Sequence, residues 1–251
     1  MKVTFLGTGT SQGVPVIGCN CEVCTSLDFR NKRLRVSIHI EIEGNSFIID
    51  SGPDFRQQIL REHISKMDAL IFTHQHKDHT AGMDDIRSFN FKQHMDMPVF
   101  ATKDVFEQLK REFFYIFEEV KYPGVPKVQV NVIDNNPFEI NGIKIIPIQV
   151  MHYQLPVFGY RIADFTYITD ANHISDSEKQ KIKGSKVLVL NALQHDKHIS
   201  HFNLQEALNL VEELKPEKAY FTHISHKLGL HSSISLPDNV ALAYDGLKIS
   251  L

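Results

Sequence analysis

The chain has 251 residues, 42% of them hydrophobic, which is enough to bury a substantial core as one large or two small domains. Its formal net charge of −3 and its dispersed Lys and Arg residues argue against binding to an extended nucleic acid, which requires a basic stripe. The N-terminal apolar run is too short for a secretory signal, and no stretch approaches ~20 apolar residues. We therefore expect a cytoplasmic protein without a membrane segment.

Short strands are predicted in the first half of the chain, with a hairpin at Gly44 and Asn45, and strands alternate with helices further along. The predicted strands are residues 3–6, 37–43, 47–50, 69–72, 143–150, 159–163, 167–169, 186–190 and 219–221. The predicted helices are residues 103–117, 175–182 and 204–214. This mixture favours sheets covered by helices. No linker rich in Pro, Gly or Ser divides the chain, so we predict a single domain, 1–251.

All three cysteines lie in one short loop, 18–25, at Cys19, Cys21 and Cys24. They are too close together for a disulfide framework, and their number is odd. Closely spaced thiolates favour zinc, which requires a fourth ligand, and His226 is the best candidate. The alternative is a loop with three reduced cysteines. We predict a structural zinc site.

Four side chains that bind metals follow the predicted strand 69–72 within six positions, namely His74, His76, Asp78 and His79. Side chains two positions apart in an extended segment point the same way, so the first two can bind one cation. The other two, where the chain turns into a helix, can face a second cation. Imidazole and carboxylate together suit Zn, Mn, Fe or Ni without choosing among them. Solvated histidines beside a helix cap are the alternative, but such clusters usually mark metal sites.

Ligand residues also follow three later strands, at His152, Asp170 and His223. Each alone has an ordinary explanation, as a surface histidine, a turn residue and a core histidine. A dinuclear centre needs more ligands than one motif supplies, however, and strand ends deliver side chains to one edge of a sheet. Together with the first motif, they predict a dinuclear metal centre and a hydrolase.

The His-x-His-x-Asp-His motif resembles that of the metallo-β-lactamase superfamily. This resemblance implies an α/β (α+β) fold, a four-layered αβ/βα sandwich with two metals at one edge. It also implies two ligand groups and one bridging carboxylate: His74, His76 and His152; Asp78, His79 and His223; and Asp170. Two cations so placed would make a bridging hydroxide from a shared water at neutral pH. Asp78 would also orient that hydroxide.

Three segments make the resemblance more specific: 7–15 (Gly-Thr-Gly-Thr-Ser-Gln-Gly-Val-Pro), the cysteine loop 18–25, and 222–226 (Thr-His-Ile-Ser-His). They resemble the phosphoribosyl cyclic phosphate phosphodiesterases of the carbon-phosphorus lyase pathway. The resemblance implies a small phosphodiester substrate, for example 5-phosphoribosyl 1,2-cyclic phosphate, and a homodimer. The natural substrate and the physiological metal remain open.

Hydrolysis of an ester needs a group that protonates the leaving oxygen. Related phosphodiesterases have a histidine at the place of His201, which is therefore the predicted general acid, although His195 and His198 lie close by in the sequence. Arg87, on a predicted helix, is a candidate for binding a substrate phosphate, and a solvated helix charge is the alternative.

Two other functions fit parts of the pattern. A ribonuclease resembling the tRNA 3′-end-processing enzymes shares the histidine motif, but the chain lacks a recognisable RNA-binding arm. A catalytically silent metal-binding carrier, like the relatives in pyrroloquinoline quinone biosynthesis, would not require seven intact ligands. A lactonase or thioesterase is a weaker alternative. The aromatic residues of the segment 103–122 predict core packing first, and a substrate lid or a dimer surface otherwise.

Overall fold

The computed structural model of the chain describes residues 1–120 and 122–251. The strands of the first half are β1 (Lys2–Gly7), β2 (Ser37–Ile42), β3 (Asn45–Ile49), β4 (Ala69–Ile71), β5 (Met97–Ala101) and β6 (Val128–Val132). Those of the second half are β7 (Phe138–Ile140), β8 (Ile143–His152), β9 (Leu155–Ile162), β10 (Phe165–Tyr167), β11 (Val187–Asn191), β12 (Lys218–Thr222), β13 (Val240–Leu242) and β14 (Lys248–Ser250).

The helices are α1 (Glu22–Thr25), α2 (Phe55–Arg61), α3 (Lys77–Thr80), α4 (Arg87–Gln93), α5 (Lys103–Glu112), α6 (Phe114–Phe117), α7 (Asp176–Ile182) and α8 (Leu204–Leu214). Short 3-10 turns occupy Phe29–Asn31, Met83–Ile86, His226–Leu228 and His231–Ser233. Side chains begin the longer helices: Thr102 and Ser175 accept hydrogen bonds from the first turns of α5 and α7, and Asn203 forms a capping box with Glu206 on α8.

Two mixed seven-stranded sheets contain all the strands of the described residues. The first sheet has the order β14-β1-β2-β3-β4-β5-β6, and the second has the order β13-β12-β11-β10-β9-β8-β7. The strands β3, β4, β5 and β6 run parallel to one another, as do β10, β11, β12 and β13. Parallel neighbours bring their carboxyl ends to one edge of a sheet, and the loops that carry the predicted ligands leave the sheets there.

Three separate apolar clusters define the layers of the fold. Phe5 and Ile71 of the first sheet share the central cluster with Tyr160 and Val189 of the second. On the outer face of the first sheet, side chains such as Leu70 pack with the helices α2, α4 and α5. On the outer face of the second sheet, Leu188 and other residues pack with α7 and α8. Because a strand side chain points to alternate faces, this arrangement is a four-layered αβ/βα sandwich, as predicted.

The sequence pattern misplaced several elements. The helix predicted at 103–117 is two helices, α5 and α6, separated at Phe113, whose backbone leaves the helical region at φ −120° and ψ 42°. The strands β5 and β6 and the helix α2 were not predicted, whereas the helix predicted near Arg87 is α4. The strand predicted at 159–163 is the second half of β9. None of the helices in residues 1–120 and 122–251 has the length and apolar character needed to cross a bilayer.

Candidate metal centre

His74 and His76 lie in the loop between β4 and α3. His74 Nε2 is 3.0 Å from His76 Nδ1, and His74 is buried while His76 is exposed. The Thr73 hydroxyl donates to Asp50 Oδ2 at 2.8 Å and therefore accepts from His74 Nδ1 at 3.0 Å. This hydrogen bond leaves the His74 Nε2 lone pair free to bind a metal together with His76 Nδ1.

His79, on α3, is hydrogen-bonded to the carboxylate of Asp50, a residue that the sequence analysis did not identify. Its Nδ1 donates to Asp50 Oδ2 at 2.7 Å, and both residues are fully buried. Its Nε2 lies 3.3 Å from Asp78 Oδ2 and 3.4 Å from Asp170 Oδ1. A carboxylate on the far nitrogen of a histidine is the usual support for a metal ligand, because it fixes the ring and its tautomer.

A left-handed backbone conformation is common to three residues of the site, Asp50, Asp170 and His223. Each directly follows an apolar strand or its extension and has a left-handed conformation, with φ of 65°, 54° and 53° respectively. Left-handed residues other than glycine are uncommon and cost energy, and they cluster at functional sites. The turn directs the side chains at the metal centre: His223 Nδ1 is 2.9 Å from Asp170 Oδ1, and His74 Nε2 is 4.0 Å from Asp170 Oδ2.

His152 ends β8 and faces the first two histidines. Its Nδ1 donates to the Ser200 carbonyl oxygen at 2.9 Å, which leaves the lone pair of its Nε2 available to a metal. Its ring centroid is 5.1 Å from that of His76 and 4.6 Å from that of His201. His201 in turn lies 4.7 Å from the ring of His223, and its buried Nδ1 has no hydrogen-bond partner in the described chain.

The structure thus brings the seven predicted ligands and His201 into one cluster. Their donor atoms form three groups within 4.8 Å: His74, His76 and His152; His74, His79 and Asp170; and His152, Asp170 and His201. Asp78 and His223 join the cluster through the contacts given above. Which metal each residue binds, and which residue acts as the acid, stay predictions.

Buried charge makes this cluster favourable for cations. Burial alone would lower the pKa of the His79 imidazole, but the carboxylates of Asp170, Asp78 and Asp50 raise it well above its ordinary value. Burial opposes ionisation of Asp170, yet the neighbouring imidazoles of His223 and His79 hold its pKa well below the usual range. Three carboxylates in a water-poor site require positive charge.

The donor set fits divalent metal ions. The His79 Nε2 atom is buried without a hydrogen-bond partner among the described residues, although two carboxylates lie within 3.4 Å of it. Burial, together with the charge on His79, lowers the pKa of His74 well below its ordinary value, so that imidazole is neutral and offers a lone pair. Nitrogen and carboxylate donors of this kind bind first-row transition metals and zinc.

The cysteine loop forms a second cluster. The His226 Nδ1 atom lies 3.3 Å from Cys19 Sγ, 3.4 Å from Cys21 Sγ and 3.6 Å from Cys24 Sγ. In a tetrahedral zinc site the donor atoms are about 3.5 Å apart, because Zn–S is about 2.3 Å and Zn–N about 2.0 Å. The four donors therefore have the spacing that one zinc ion requires.

The segment 223–226 connects the two clusters, and backbone hydrogen bonds anchor it to the rest of the fold. After His223, the Ile224 amide donates to the Thr8 carbonyl at 2.9 Å and the Ser225 amide donates to the Leu193 carbonyl at 3.0 Å. The next residue is His226. One segment of four residues therefore carries a ligand of each cluster.

Arg87 and the aromatic segment 103–122 lie elsewhere. Arg87 pairs with Asp84 at 3.1 Å on the surface of α4, and none of its recorded polar contacts is with a predicted ligand. Its binding of a substrate phosphate stays a prediction. Phe106 and Phe113 are buried in the core, whereas Phe114 is 60% exposed. Residue 121 of that segment lies outside the described residues.

Comparison with known proteins identifies the class. A family model described as a β-lactamase superfamily domain matches residues 45–224, well over half of the chain. The chain therefore belongs to the metallo-β-lactamase superfamily. A crystal structure of a diphosphatase from the PhnP family is 38% identical, has a TM-score of 0.93, and covers 100% of this chain and 97% of its own. Within the superfamily the chain belongs to the PhnP family, and it is a metal-dependent hydrolase.

Other relatives are more distant or longer. An octanoyltransferase of Porphyromonas gingivalis is 35% identical over 99% of this chain, but the match covers 51% of that protein. Ribonuclease Z of Staphylococcus epidermidis is 26% identical over 64% of this chain and 49% of its own length. The chain spans about half the length of these curated relatives. PqqB from Methylobacterium extorquens, 19% identical with a TM-score of 0.79 over 100% of both chains, shares the fold.

Proposed function

We propose that this protein is a dinuclear-metal-dependent phosphodiesterase that hydrolyses a small phosphodiester. The observation that carries the proposal is the cluster of seven candidate ligand side chains, Asp170 among them, which has the donor set for two divalent cations. Membership of the PhnP family, in which one relative is a diphosphatase, supports chemistry at phosphorus.

Each residue of the cluster has a proposed role. His74, His76 and His152 would hold one cation, Asp78, His79 and His223 the other, and Asp170 would contact both. Divalent cations bound there lower the pKa of water and neutralise the charge of a phosphate. Asp50, by holding His79, keeps that ligand in one orientation during turnover.

His201 is the proposed general acid for the leaving oxygen. Burial and the nearby His223 lower its pKa to about 3 when the site holds no substrate, so its imidazole is then neutral. An anionic phosphate placed against it favours the protonated form, because an opposite charge within a few ångströms raises the pKa of an imidazole. Proton donation would therefore depend on bound substrate, and free His201 would not be charged at neutral pH.

The cysteine cluster is proposed to bind one structural zinc ion through Cys19, Cys21, Cys24 and His226. Its donor spacing supports zinc, and all four positions are taken by protein side chains, as in structural zinc sites. We also propose a homodimer that acts in the cytoplasm. The dimer is implied by the family resemblance of the sequence, and light scattering would test it.

Hydrolysis of bis(p-nitrophenyl) phosphate would test the proposal. Metal-free protein resupplied with Mn, Zn, Ni or Fe should hydrolyse this diester faster than p-nitrophenyl phosphate, and Asp170→Ala should abolish turnover while the protein stays folded. Dimethyl diphosphate and 5-phosphoribosyl 1,2-cyclic phosphate would then define the substrate. A protein that binds metal but cleaves no diester would support a carrier, and preferential cleavage of precursor tRNA would support a ribonuclease.

A further inference from the structure

A cavity of about 590 Å³ opens beside the metal centre. It is lined by His76, His152, Tyr153, Gln154, Leu155, Ile199 and Ser200. Two of these residues are predicted metal ligands, so whatever occupies the cavity is directly next to the metals. Its volume lies in the range of small-ligand sites.

The chemistry of the lining indicates the kind of group that fits. Tyr153 is 52% exposed and Ile199 is 66% exposed, and Leu155 completes an apolar wall. None of the lining residues is Lys, Arg, Asp or Glu. A second phosphate would require a cationic partner, which this lining does not offer, whereas an uncharged and flat group would be well matched. Gln154 and Ser200 can form hydrogen bonds with the polar edge of such a group.

The two walls of the cavity are held together by Asn172. Its Oδ1 accepts from the Tyr153 amide at 2.9 Å, and its Nδ2 donates to the Ile199 carbonyl at 3.0 Å. The hydrogen bond from His152 to the Ser200 carbonyl, 2.9 Å long, adds a second tie between the same segments. A pocket whose walls are fixed before binding loses less entropy when it takes a ligand.

The backbone of Tyr153 is the unusual feature of this wall. Tyr153 and Gln154 form the two-residue turn between β8 and β9, in which His152 pairs with Leu155, and Tyr153 has φ +57°. Glycine or asparagine is favoured at such positions, and a large aromatic residue there is strained. The strain holds an exposed aromatic ring at the mouth of the cavity, and such strain is concentrated at binding and active sites.

We infer that Tyr153 is a specificity-determining residue, which stacks on a planar aromatic group of the substrate, such as a nucleobase, in the cavity beside the metals. This inference rests on the proposed function for the reacting phosphodiester and adds the chemical class of the group that the diester carries. Stacking on an aromatic side chain favours any flat ring, so the selection is for a nucleoside over a bare sugar and not for one base.

A pair of substrates that differ only in the base would test the inference. Adenosine 2′,3′-cyclic phosphate and the 2,3-cyclic phosphate of methyl riboside contain the same cyclic diester, and phosphorus NMR follows opening of both rings. In the wild-type protein we expect kcat/KM to be about tenfold or more higher for the nucleoside, in line with the usual effect of one stacked base.

Variants of Tyr153 should change that ratio. Tyr153→Asn, which removes the ring but tolerates the left-handed backbone, should bring the ratio close to one, and Tyr153→Phe should keep it. Tyr122→Ala is the matched control, because Tyr122 is an exposed tyrosine that lines a different cavity, and it should keep the wild-type ratio. A wild-type ratio near one, or an unchanged ratio in Tyr153→Asn, would overturn the inference.

A binding experiment separates this inference from the proposed function. If neither cyclic diester is opened, calorimetry with metal-loaded protein should still show tighter binding of AMP than of ribose 5-phosphate, and Tyr153→Asn should remove the difference. Equal binding of the two by the wild-type protein refutes the stacking role. Turnover of bis(p-nitrophenyl) phosphate, measured in parallel, decides the proposed function independently.

Discussion

The two candidate metal clusters are built on opposite plans. The histidine and aspartate cluster draws its side chains from loops of both sheets, contains the exposed His76, and opens on a cavity. The cysteine cluster takes three donors from one loop of six residues, and its fourth donor, His226, closes the set. Catalytic metal sites keep a position open to substrate, whereas structural sites are filled by protein ligands. The contrast supports the proposal that the first cluster is catalytic and the second structural.

The clusters are nevertheless joined, because His223 and His226 are three residues apart on the segment that leaves β12. Loss of the metal from the cysteine cluster should disturb the histidine and aspartate cluster more than the reverse. Loss of the zinc ion would loosen a segment that presents a catalytic ligand, but loss of a catalytic metal would leave the thiolates and His226 in place.

The largest effect is expected from Asp170→Ala. This change removes the carboxylate in contact with both ligand groups and should reduce kcat/KM for a diester by at least about 10³-fold. Elemental analysis should show fewer ions at the active centre, with the zinc of the cysteine cluster retained. Retained turnover with a full metal content would contradict the assignment of catalysis to this cluster.

His201→Ala should distinguish proton donation from metal binding. We expect a loss of about 10²- to 10⁴-fold for a diester with an alkyl leaving group, and a much smaller loss for bis(p-nitrophenyl) phosphate, whose leaving group needs no proton. The matched control is His198→Ala, an exposed histidine on the same loop, which should have little effect on either rate. Equal losses for the two substrates would mean that His201 is not the acid.

Asp50→Asn tests whether the hydrogen bond from His79 to Asp50 strengthens metal binding by His79. Asp50 accepts from His79 and from the Thr73 hydroxyl at Oδ2, and from the Thr73 backbone amide at Oδ1. An asparagine amide has one acceptor oxygen and cannot keep all three hydrogen bonds, so we expect metal affinity at the active centre to fall about 10- to 100-fold. Titration of metal-free protein, followed by turnover, measures this affinity. Asp68→Asn, which changes a carboxylate that accepts from the Ser46 amide away from the centre, should leave the affinity unchanged.

Compared with the changes in the histidine and aspartate cluster, Cys21→Ser should reduce turnover less and lower the stability of the fold more. We expect the loss of one zinc ion per chain, a lower melting temperature, and a fall in turnover of about tenfold, because a loosened segment misplaces His223. Thermal unfolding and zinc analysis would be compared with Thr25→Ser, a conservative change in the same loop. A variant that keeps its zinc and its melting temperature would show that the thiolates are simply reduced cysteines.

A variant of His39, which is not a candidate metal ligand, tests the pH dependence of folding stability apart from any loss of metal. Burial lowers its pKa to about 4, and its Nε2 lies 2.7 Å from the Ser46 hydroxyl. Below pH ~6.5 the unfolded chain binds a proton that the native state does not, so the free energy of unfolding falls by up to about 1.4 kcal/mol per pH unit towards pH 4. Urea unfolding of His39→Gln at pH 7 and 5 should show a weaker pH dependence, whereas the exposed His94→Asn should behave like wild type.

The grouping of the candidate ligands was predictable because each of the later ones directly follows an apolar strand. A strand pattern of period two, followed by His or Asp, is enough to place such a residue at a sheet edge. The family resemblance then supplied the pairing of ligands with metals. Asp50 has the same position after a strand, but only the parallel pairing of β3 with β4, in which Ile49 lies opposite Ile71, puts it beside Thr73 and His79.

The parts that were not predicted depend on contacts distant in sequence. The strand β6 was missed because it lies at a sheet edge and has exposed positions, so burial does little to shape its composition. The break at Phe113 comes from packing of Phe113 and Ile116 into the outer cluster of the first sheet. The cavity wall at Tyr153 requires the register of β8 on β9, which a single strand pattern does not reveal.

Metal content measured together with turnover tests the central claim most directly. Metal-free protein would be titrated with Mn after the cysteine cluster has been filled with one equivalent of Zn, while hydrolysis of bis(p-nitrophenyl) phosphate is recorded. We expect no turnover with the zinc alone and full turnover after two further ions per chain, and no such gain in Asp170→Ala. Full turnover with the single zinc ion, or none after both further ions are bound, would contradict a dinuclear hydrolase.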